Sequence, residues 1–171
     1  MRYPDAEECT TITDGIDRKD VGGFVTIEVI RDGQNGPEVI DRRVTHNLIV
    51  LSGKKQIWRV ASGLNANVFD QMRIGTSSVA ATGADTNVKS PVTGTLRTVN
   101  SLTLLAGTRT MQWVHSYASG AGSKSATSID EVVILNQRTS PGGSAMMRAT
   151  FTSVTKTTND KLKITYRARI T

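Results

Sequence analysis

The sequence contains few of the residues from which most active sites are built. Among its 171 residues there is one cysteine, Cys9, and there are two histidines, His46 and His115. A single cysteine excludes an internal disulfide and a thiolate metal cluster within one chain, because both need several sulfur atoms. With so few imidazoles, a transition-metal site would depend on carboxylates. We therefore predict that the chain holds no metal and no cofactor.

Local motifs for nucleotide binding, hydrolysis and calcium binding are missing as well. The segment GTSS at 75–78 has neither the lysine nor the following helix of a phosphate-binding loop, and no Gly-x-Ser-x-Gly elbow occurs. Asp14, Asp17 and Asp20 recur at every third residue, whereas a calcium loop needs alternate ligands and a closing glutamate. We interpret the chain as a protein that is not an enzyme.

Long apolar runs and aromatic residues are also scarce. The beginning of the chain, MRYPDAEECTTITDG, lacks the apolar stretch of a signal peptide, and no later run approaches a membrane span. We therefore expect no membrane partner and assembly in a cytosol. Aromatic residues make up only 5% of the chain, which predicts a modest core. Since a small core leaves little margin over conformational entropy, association with other chains is expected.

The formal net charge is +6, from 21 Lys and Arg against 15 Asp and Glu. The cations are spread along the chain and are not interleaved with aromatic rings in one run, so we expect no nucleic acid partner. We interpret the cations as belonging to a solvated surface or to a surface that binds an acidic neighbouring protein.

Strand patterns dominate what is present. Thr, Ser and Gly are abundant, and apolar residues alternate with polar ones, most strictly from Leu162 to Ile170. Turn residues at 32–37 indicate a hairpin, and Ser52 and Gly63 are typical signals for the start and end of a short helix. The predicted elements are strands at 24–30, 39–50, 69–74, 97–104, 108–117, 129–136, 145–153 and 162–171, and a helix at 54–62.

Two segments fall outside this pattern. Residues 1–22 are polar without a sustained apolar period, and we interpret them as an arm for attachment or for strapping onto a neighbouring subunit. The loop at 77–96 is too long for a tight connection, which indicates a functional loop or one that contacts a partner. Asp130 and Glu131 are interpreted as a solvated strand start. Residues 23–171 are predicted to form an antiparallel β-sandwich, jelly-roll-like, of about eight strands with one short helix.

Five short segments follow one another along the chain: THNLIVLSG at 45–53, MRIGT at 72–76, EVVILN at 131–136, MRATF at 147–151 and TKTTNDKLKITY at 155–166. In sequence and order they resemble segments of a group of bacteriophage structural proteins of the tail-fibre, collar and head-decoration type. In that group a segment like hNLIVnsG is followed by a strand like IavGTGtt, a variable loop, a strand like EvgLfn and a lysine- and threonine-rich final strand. The resemblance covers about residues 22 to 171 and implies no catalytic residues.

The resemblance implies a virion structural protein, assembled in the host cytoplasm. We expect an oligomeric fibre, collar, neck or tail-associated subunit that acts by protein–protein assembly. Its partners would be itself, as a homo-oligomer and most simply a trimer, and other virion proteins of the tail, neck or capsid. The candidate interface residues are Tyr3, Cys9, Ile12, Trp58, Val79, Val88 and Val92.

Alternative functions remain open at this point. One is a head-decoration (capsid cement) protein, and another is a receptor- or carbohydrate-binding module. The second would need exposed aromatic rings, for which Tyr3, Trp58, Trp113 and Tyr117 are available. An enzyme is the third alternative, and it would need a cleft that brings His46 or His115 beside two carboxylates.

Overall fold

The computed structural model describes residues 22–64, 68–121, 127–136 and 144–169. In these residues ten strands form two antiparallel sheets of five strands each, and one helix follows the third strand. The elements are β1 (Gly22–Gly33), β2 (Gly36–His46), β3 (Leu48–Ile49), α1 (Leu51–Ala61), β4 (Gln71–Gly75), β5 (Arg97–Thr98), β6 (Ser101–Leu104), β7 (Thr110–Tyr117), β8 (Thr127–Leu135), β9 (Ala145–Lys156) and β10 (Asp160–Arg169).

The predicted antiparallel sandwich is confirmed. Sheet A has the strand order β2-β1-β10-β7-β6, and sheet B has the order β3-β9-β8-β4-β5. The inward side chains of both sheets form one apolar core, as the alternating pattern of β1 and β10 predicts. Its main members are Val25, Ile27, Val29, Leu162, Ile164 and Tyr166 from sheet A, and Met72, Ile74, Val132, Ile134, Met147 and Ala149 from sheet B.

The count of strands differs from the prediction because the chain changes sheets inside two predicted strands. The predicted strand 39–50 divides at Asn47 into β2 of sheet A and β3 of sheet B. The predicted strand 97–104 divides likewise, since the amide of Val99 donates to Asp70 O while the amide of Asn100 donates to Val114 O in β7. Alternation of apolar and polar residues is the same in either sheet, so it carries no sign of the switch.

The first hairpin is confirmed, and its tip projects beyond the sandwich. The turn residues Gln34 and Asn35 join β1 to β2, and Gly36 has a φ of 110°, which favours glycine. Pairing of β1 with β10 ends at Arg31, whereas pairing with β2 continues to the turn. Residues 31–40 are all exposed as a result.

Helix α1 begins earlier than predicted and ends where predicted. Ser52 lies within the first turn, and its hydroxyl donates to Ala145 O at 2.8 Å, so it does not cap the helix. Gly63 has a φ of 71°, and the amide of Leu64 donates to Arg59 O at 2.8 Å, a typical C-terminal arrangement. At Gly53 an added Cβ would collide with the backbone of Met146, so this glycine allows the helix to pack closely on β9.

Candidate interaction surfaces

A buried ionic network on the outer face of sheet B is centred on Arg148. Its Nε and Nη2 donate to Glu131 Oε2 at 2.9 and 2.6 Å, and its Nη1 donates to Asp85 Oδ2 at 2.8 Å. Nη1 and Nη2 also donate to the carbonyls of Ala80 at 3.2 Å and Val79 at 2.8 Å. All five N–H groups of the guanidinium are therefore used, which is what a fully buried arginine requires.

The two carboxylates of this network are held from the loop side as well. Glu131 accepts from the backbone amides of Lys89 at 3.0 Å and Ser90 at 2.9 Å. Gly75 lies directly opposite Glu131 in the pairing of β4 with β8, and an added Cβ there would collide with the glutamate carboxylate. The glycine in the IGT segment thus leaves room for the Glu131 side chain to reach the loop.

Asp85 belongs to the loop and is the second acceptor for Arg148. It also accepts from the amide and hydroxyl of Thr82 and from Lys89 Nζ at 2.8 Å. Burial by itself would raise the pKa of Asp85. Hydrogen bonds from Lys89, Thr82 and Arg148 act more strongly in the opposite direction and hold this pKa well below its usual range. The two buried carboxylates are matched by the buried Arg148 and by the partly exposed Lys89, so the charges of the network as a whole balance.

The network fastens the loop at 77–96 onto sheet B. A second, smaller apolar cluster lies between the loop and the sheet and contains Val50, Val88, Val133, Leu135 and Ala145. Val88 and Val92, two of the candidate interface residues, are buried inside the chain at 6% and 8% exposure. The expectation that they form a surface for another protein is corrected, because they pack against the chain's own core residues.

The interpretation of Asp130 and Glu131 as a solvated strand start is wrong, since both are buried and Glu131 is 0% exposed. A bulge between Ile129 and Glu131 changes the register of β8 at this point. It places Ile129 in the main core while Glu131 faces the loop. One sequence signal indicates the ion pair of Glu131 and Arg148. Each is a charged residue next to apolar residues of a strand, and the two charges are opposite.

The remaining candidate residues fall into three groups. Trp58 and Val79 are exposed, at 73% and 58%, and stay candidates. Tyr3, Cys9 and Ile12 lie outside the described residues, as do Asp14, Asp17 and Asp20. The other two aromatic candidates for a carbohydrate site, Trp113 and Tyr117, are buried. Trp113 Nε1 donates to Phe69 O at 2.6 Å, and the Tyr117 hydroxyl donates to Thr95 O at 3.0 Å.

An exposed apolar surface lies on helix α1. Leu51 and Trp58 are exposed and lie about two helical turns apart, which places them on one side of the helix. Lys55 and Arg59 are exposed on the same side. We call the surface formed by these residues the helix face.

The outer face of sheet A carries five of the eleven cations in the described strands. Outward positions of β10 and β2 hold Lys161, Lys163, Arg167, Arg169 and Arg42. We call the surface around these residues, together with Phe24 and Val44, the basic sheet face. Phe24 of β1 pairs with His46 of β2 on one side and with Arg167 of β10 on the other. Its ring centre is 4.7 Å from that of His46. Phe24 and Val44 are 53% and 57% exposed.

The cations of the basic sheet face are only partly neutralised. Glu28 lies 3.7 Å from Arg42 and 3.4 Å from Lys163. In contrast, Arg167 Nε donates to the neutral amide oxygen of Gln112 at 2.8 Å, and neither Arg167 nor Arg169 forms an ion pair with any of the described residues. Positive charge is therefore in excess where β10 ends and β1 begins.

One of the two histidines lies in the interior of the sandwich. His115 is buried, with its ring 4.5 Å from the Tyr117 ring, and burial together with Arg97 lowers the pKa of its imidazole. No three His, Cys, Asp or Glu side chains of the described residues are placed to hold a metal ion. An open depression of about 500 Å³ is lined by Arg31, Asp32, Ser119, Gly120, Thr158 and Asn159, which include neither histidine nor cysteine.

Comparison with known proteins finds no match: no protein-family model, no curated protein and no solved structure is similar to the chain. The class established by the fold is an antiparallel β-sandwich of two five-stranded sheets. Within the described residues, the helix is too short and too polar to cross a membrane.

Proposed function

We propose that the protein is a non-enzymatic structural subunit of a bacteriophage particle, an oligomeric fibre, collar, neck or tail-associated protein that acts by binding other chains. The observation that carries the proposal is the helix face, where Leu51 and Trp58 expose large apolar side chains beside two cations. Tryptophan surrounded by polar groups is the residue type that most often dominates binding energy in protein interfaces. The resemblance of the strand and turn segments to phage structural proteins supplies the kind of particle.

Two further features support an assembly role. The projecting hairpin exposes Val39 and Ile40, and among the described strands β2 pairs only with β1, so one of its edges has unpaired backbone groups. Such an edge is suited to pairing with another chain. The buried network on sheet B holds the long loop in one conformation, so Val79 is presented from a fixed backbone rather than from a loop that must be ordered on binding.

The proposal is tested by the mass of the full-length protein in solution, measured by sedimentation equilibrium over a range of concentrations. We expect a defined oligomer, with a trimer as the simplest closed form. Trp58→Ala should raise the dissociation constant by about tenfold or more, as truncation of a central interface residue does. The matched control is Leu104→Ala, which truncates an exposed leucine on β6 and should leave the mass unchanged. A monomer at every concentration would contradict the self-associating subunit.

A further inference from the structure

The chain is divided into an acidic segment and a basic body. Residues 1–21 contain six carboxylates (Asp5, Glu7, Glu8, Asp14, Asp17 and Asp20) and three cations (Arg2, Arg18 and Lys19), a net charge of −3. Since the whole chain carries +6, residues 22–171 carry +9. The body therefore carries an excess of positive charge, and the segment that precedes the first described strand carries an excess of negative charge.

The point where this segment joins the sandwich is close to the uncompensated cations. Gly22 pairs with Arg169 and Phe24 pairs with Arg167 at the start of β1. The exposed ring of Phe24 lies beside Arg167 on the basic sheet face, and the exposed Val44 on β2 is a diagonal neighbour of Phe24. A segment with six carboxylates and occasional apolar residues such as Ile12 therefore finds both opposite charge and apolar area on this surface.

We propose that residues 1–21 of a second copy of this chain bind across the basic sheet face, with their carboxylates against Arg167 and Arg169. This inference rests on the proposed function, because it names the surface that receives the strap between subunits. The contact is reciprocal in a closed oligomer: each copy donates its acidic segment and accepts one from a neighbour.

Length and direction favour a second copy over the chain's own face. A segment of this length spans up to ~70 Å when extended, roughly twice the ~33 Å covered by the ten residues of β10. The chain enters β1 at Gly22, opposite Arg169 at the end of β10, and runs from there along the plane of sheet A. To lie on its own outer face the segment would have to reverse direction at once and would then exceed the length of that face.

The test uses full-length chains and charge reversal. Arg167→Glu combined with Arg169→Glu changes two exposed outward side chains and should raise the dissociation constant of the oligomer by about tenfold or more, as expected for a contact between opposite charges. The same loss should follow from Asp14→Lys combined with Asp17→Lys. The control for net charge is Arg97→Glu, compared with the single reversal Arg169→Glu, because Arg97 is an exposed cation on β5 of sheet B and lies on neither the helix face nor the basic sheet face. This control should associate as the original chain does.

The decisive step is to mix the two weakened proteins. If the segment of one copy binds the face of another, the chain reversed at 167 and 169 should associate with the chain reversed at 14 and 17 better than either associates with itself. Mixed oligomers are counted by native mass spectrometry, and circular dichroism verifies that each variant is folded. Absence of mixed association, or association unaffected by the change at 167 and 169, would overturn the inference.

Other outcomes separate this inference from the proposed function. An oligomer that is stable and indifferent to both charge reversals contradicts the inference and leaves the subunit proposal standing, whereas a monomer contradicts both.

Binding of a labelled single-stranded oligonucleotide to the original chain is measured in parallel. If the oligonucleotide binds the original chain tightly at physiological salt and loses binding on reversal of 167 and 169, the face belongs to nucleic acid and the inference is overturned.

Discussion

Arg148 on β9 and Glu131 on β8 form an ion pair whose side chains are both completely buried, with one carboxylate oxygen accepting from two nitrogens of the guanidinium. The two residues are diagonal neighbours across the strands, since Glu131 pairs with Thr150 and Arg148 pairs with Val133. The other hydrogen bonds of these two side chains all go to the loop at 77–96. Arg148 donates to the Asp85 carboxylate and to two backbone carbonyls, and Glu131 accepts from two backbone amides. The pair therefore determines where a long, weakly apolar loop lies.

The first prediction concerns the charge of Glu131. Glu131→Gln keeps the side-chain shape but removes the carboxylate that accepts from Nε and Nη2 of Arg148, and Asp85 is then the one buried carboxylate beside the guanidinium. Breaking this buried pair should lower the free energy of unfolding by about 3–5 kcal/mol in urea denaturation. The control is Lys161→Met, which removes an exposed ion pair with Asp32 and should cost less than about 1 kcal/mol. Equal effects of the two substitutions would show that the network contributes no more than a surface pair.

A second prediction concerns the space above Gly75. Gly75→Ala would bring its Cβ into the Glu131 carboxylate and to 2.6 Å from the carbonyl oxygen of Ser90, so the loop has to move. We expect destabilisation by about 1–3 kcal/mol and faster amide hydrogen exchange at Lys89 and Ser90. Gly83→Ala is the matched control, because its added Cβ meets only Leu51 at ordinary van der Waals distance. Normal protection of Lys89 and Ser90 in Gly75→Ala would contradict this account.

Local patterns in the sequence predict the strands well, and contacts between distant segments explain what they miss. The alternation from Leu162 to Ala168 depends on one strand having one buried face, and the structure has that arrangement. The switch of sheet at Asn47 leaves the alternation unchanged, so no local pattern marks it. Glu131 and Asp85 are 46 positions apart and are joined through Arg148 and Lys89. Carboxylates are ordinarily exposed, so their residue type alone does not indicate that these two are buried.

The candidate surfaces divide in the same way. Trp58 is a candidate because it is one of the few aromatic residues available for a binding surface, and it is exposed, whereas Trp113 and Tyr117 are buried. Val88 and Val92 were candidates because they lie in a long loop, but burial depends on how that loop folds back onto sheet B.

The basic sheet face is partly predictable from the sequence. The alternation of the last strand predicts Lys163, Arg167 and Arg169 on its outer face. The contribution of Arg42 could not be predicted, because β2 is far from β10 in the chain and is separated from it by β1 in the sheet.

A third prediction follows from the low pKa values of two carboxyls. Hydrogen bonds from Arg31, and further ones from Thr157, hold the pKa of Asp160 well below its ordinary value of 3.8, against the effect of burial. Against the effect of burial, the pKa of Asp85 is also held well below 3.8 by the hydrogen bonds of the buried network. The unfolded chain binds these protons first, so this stabilisation is complete above the ordinary value and is lost as the pH falls below it. Urea denaturation should show stability decreasing steeply below about pH 4. Asp160→Asn should flatten that decrease, whereas Asp32→Asn, in an exposed pair, should not.

The last prediction concerns His115, which titrates in a separate range. Burial, acting first, and then Arg97 lower the pKa of the imidazole, against a hydrogen bond with the Thr98 backbone that raises it. The unfolded chain therefore takes up the proton at the ordinary value of 6.5 while the folded chain resists it, so stability should fall as the pH decreases through 6.5. His115→Phe keeps an aromatic ring beside Tyr117 and removes the proton, so its stability should be the same at about pH 7.5 and about pH 5.5. A pH dependence in this range that survives the substitution would mean that another group is responsible.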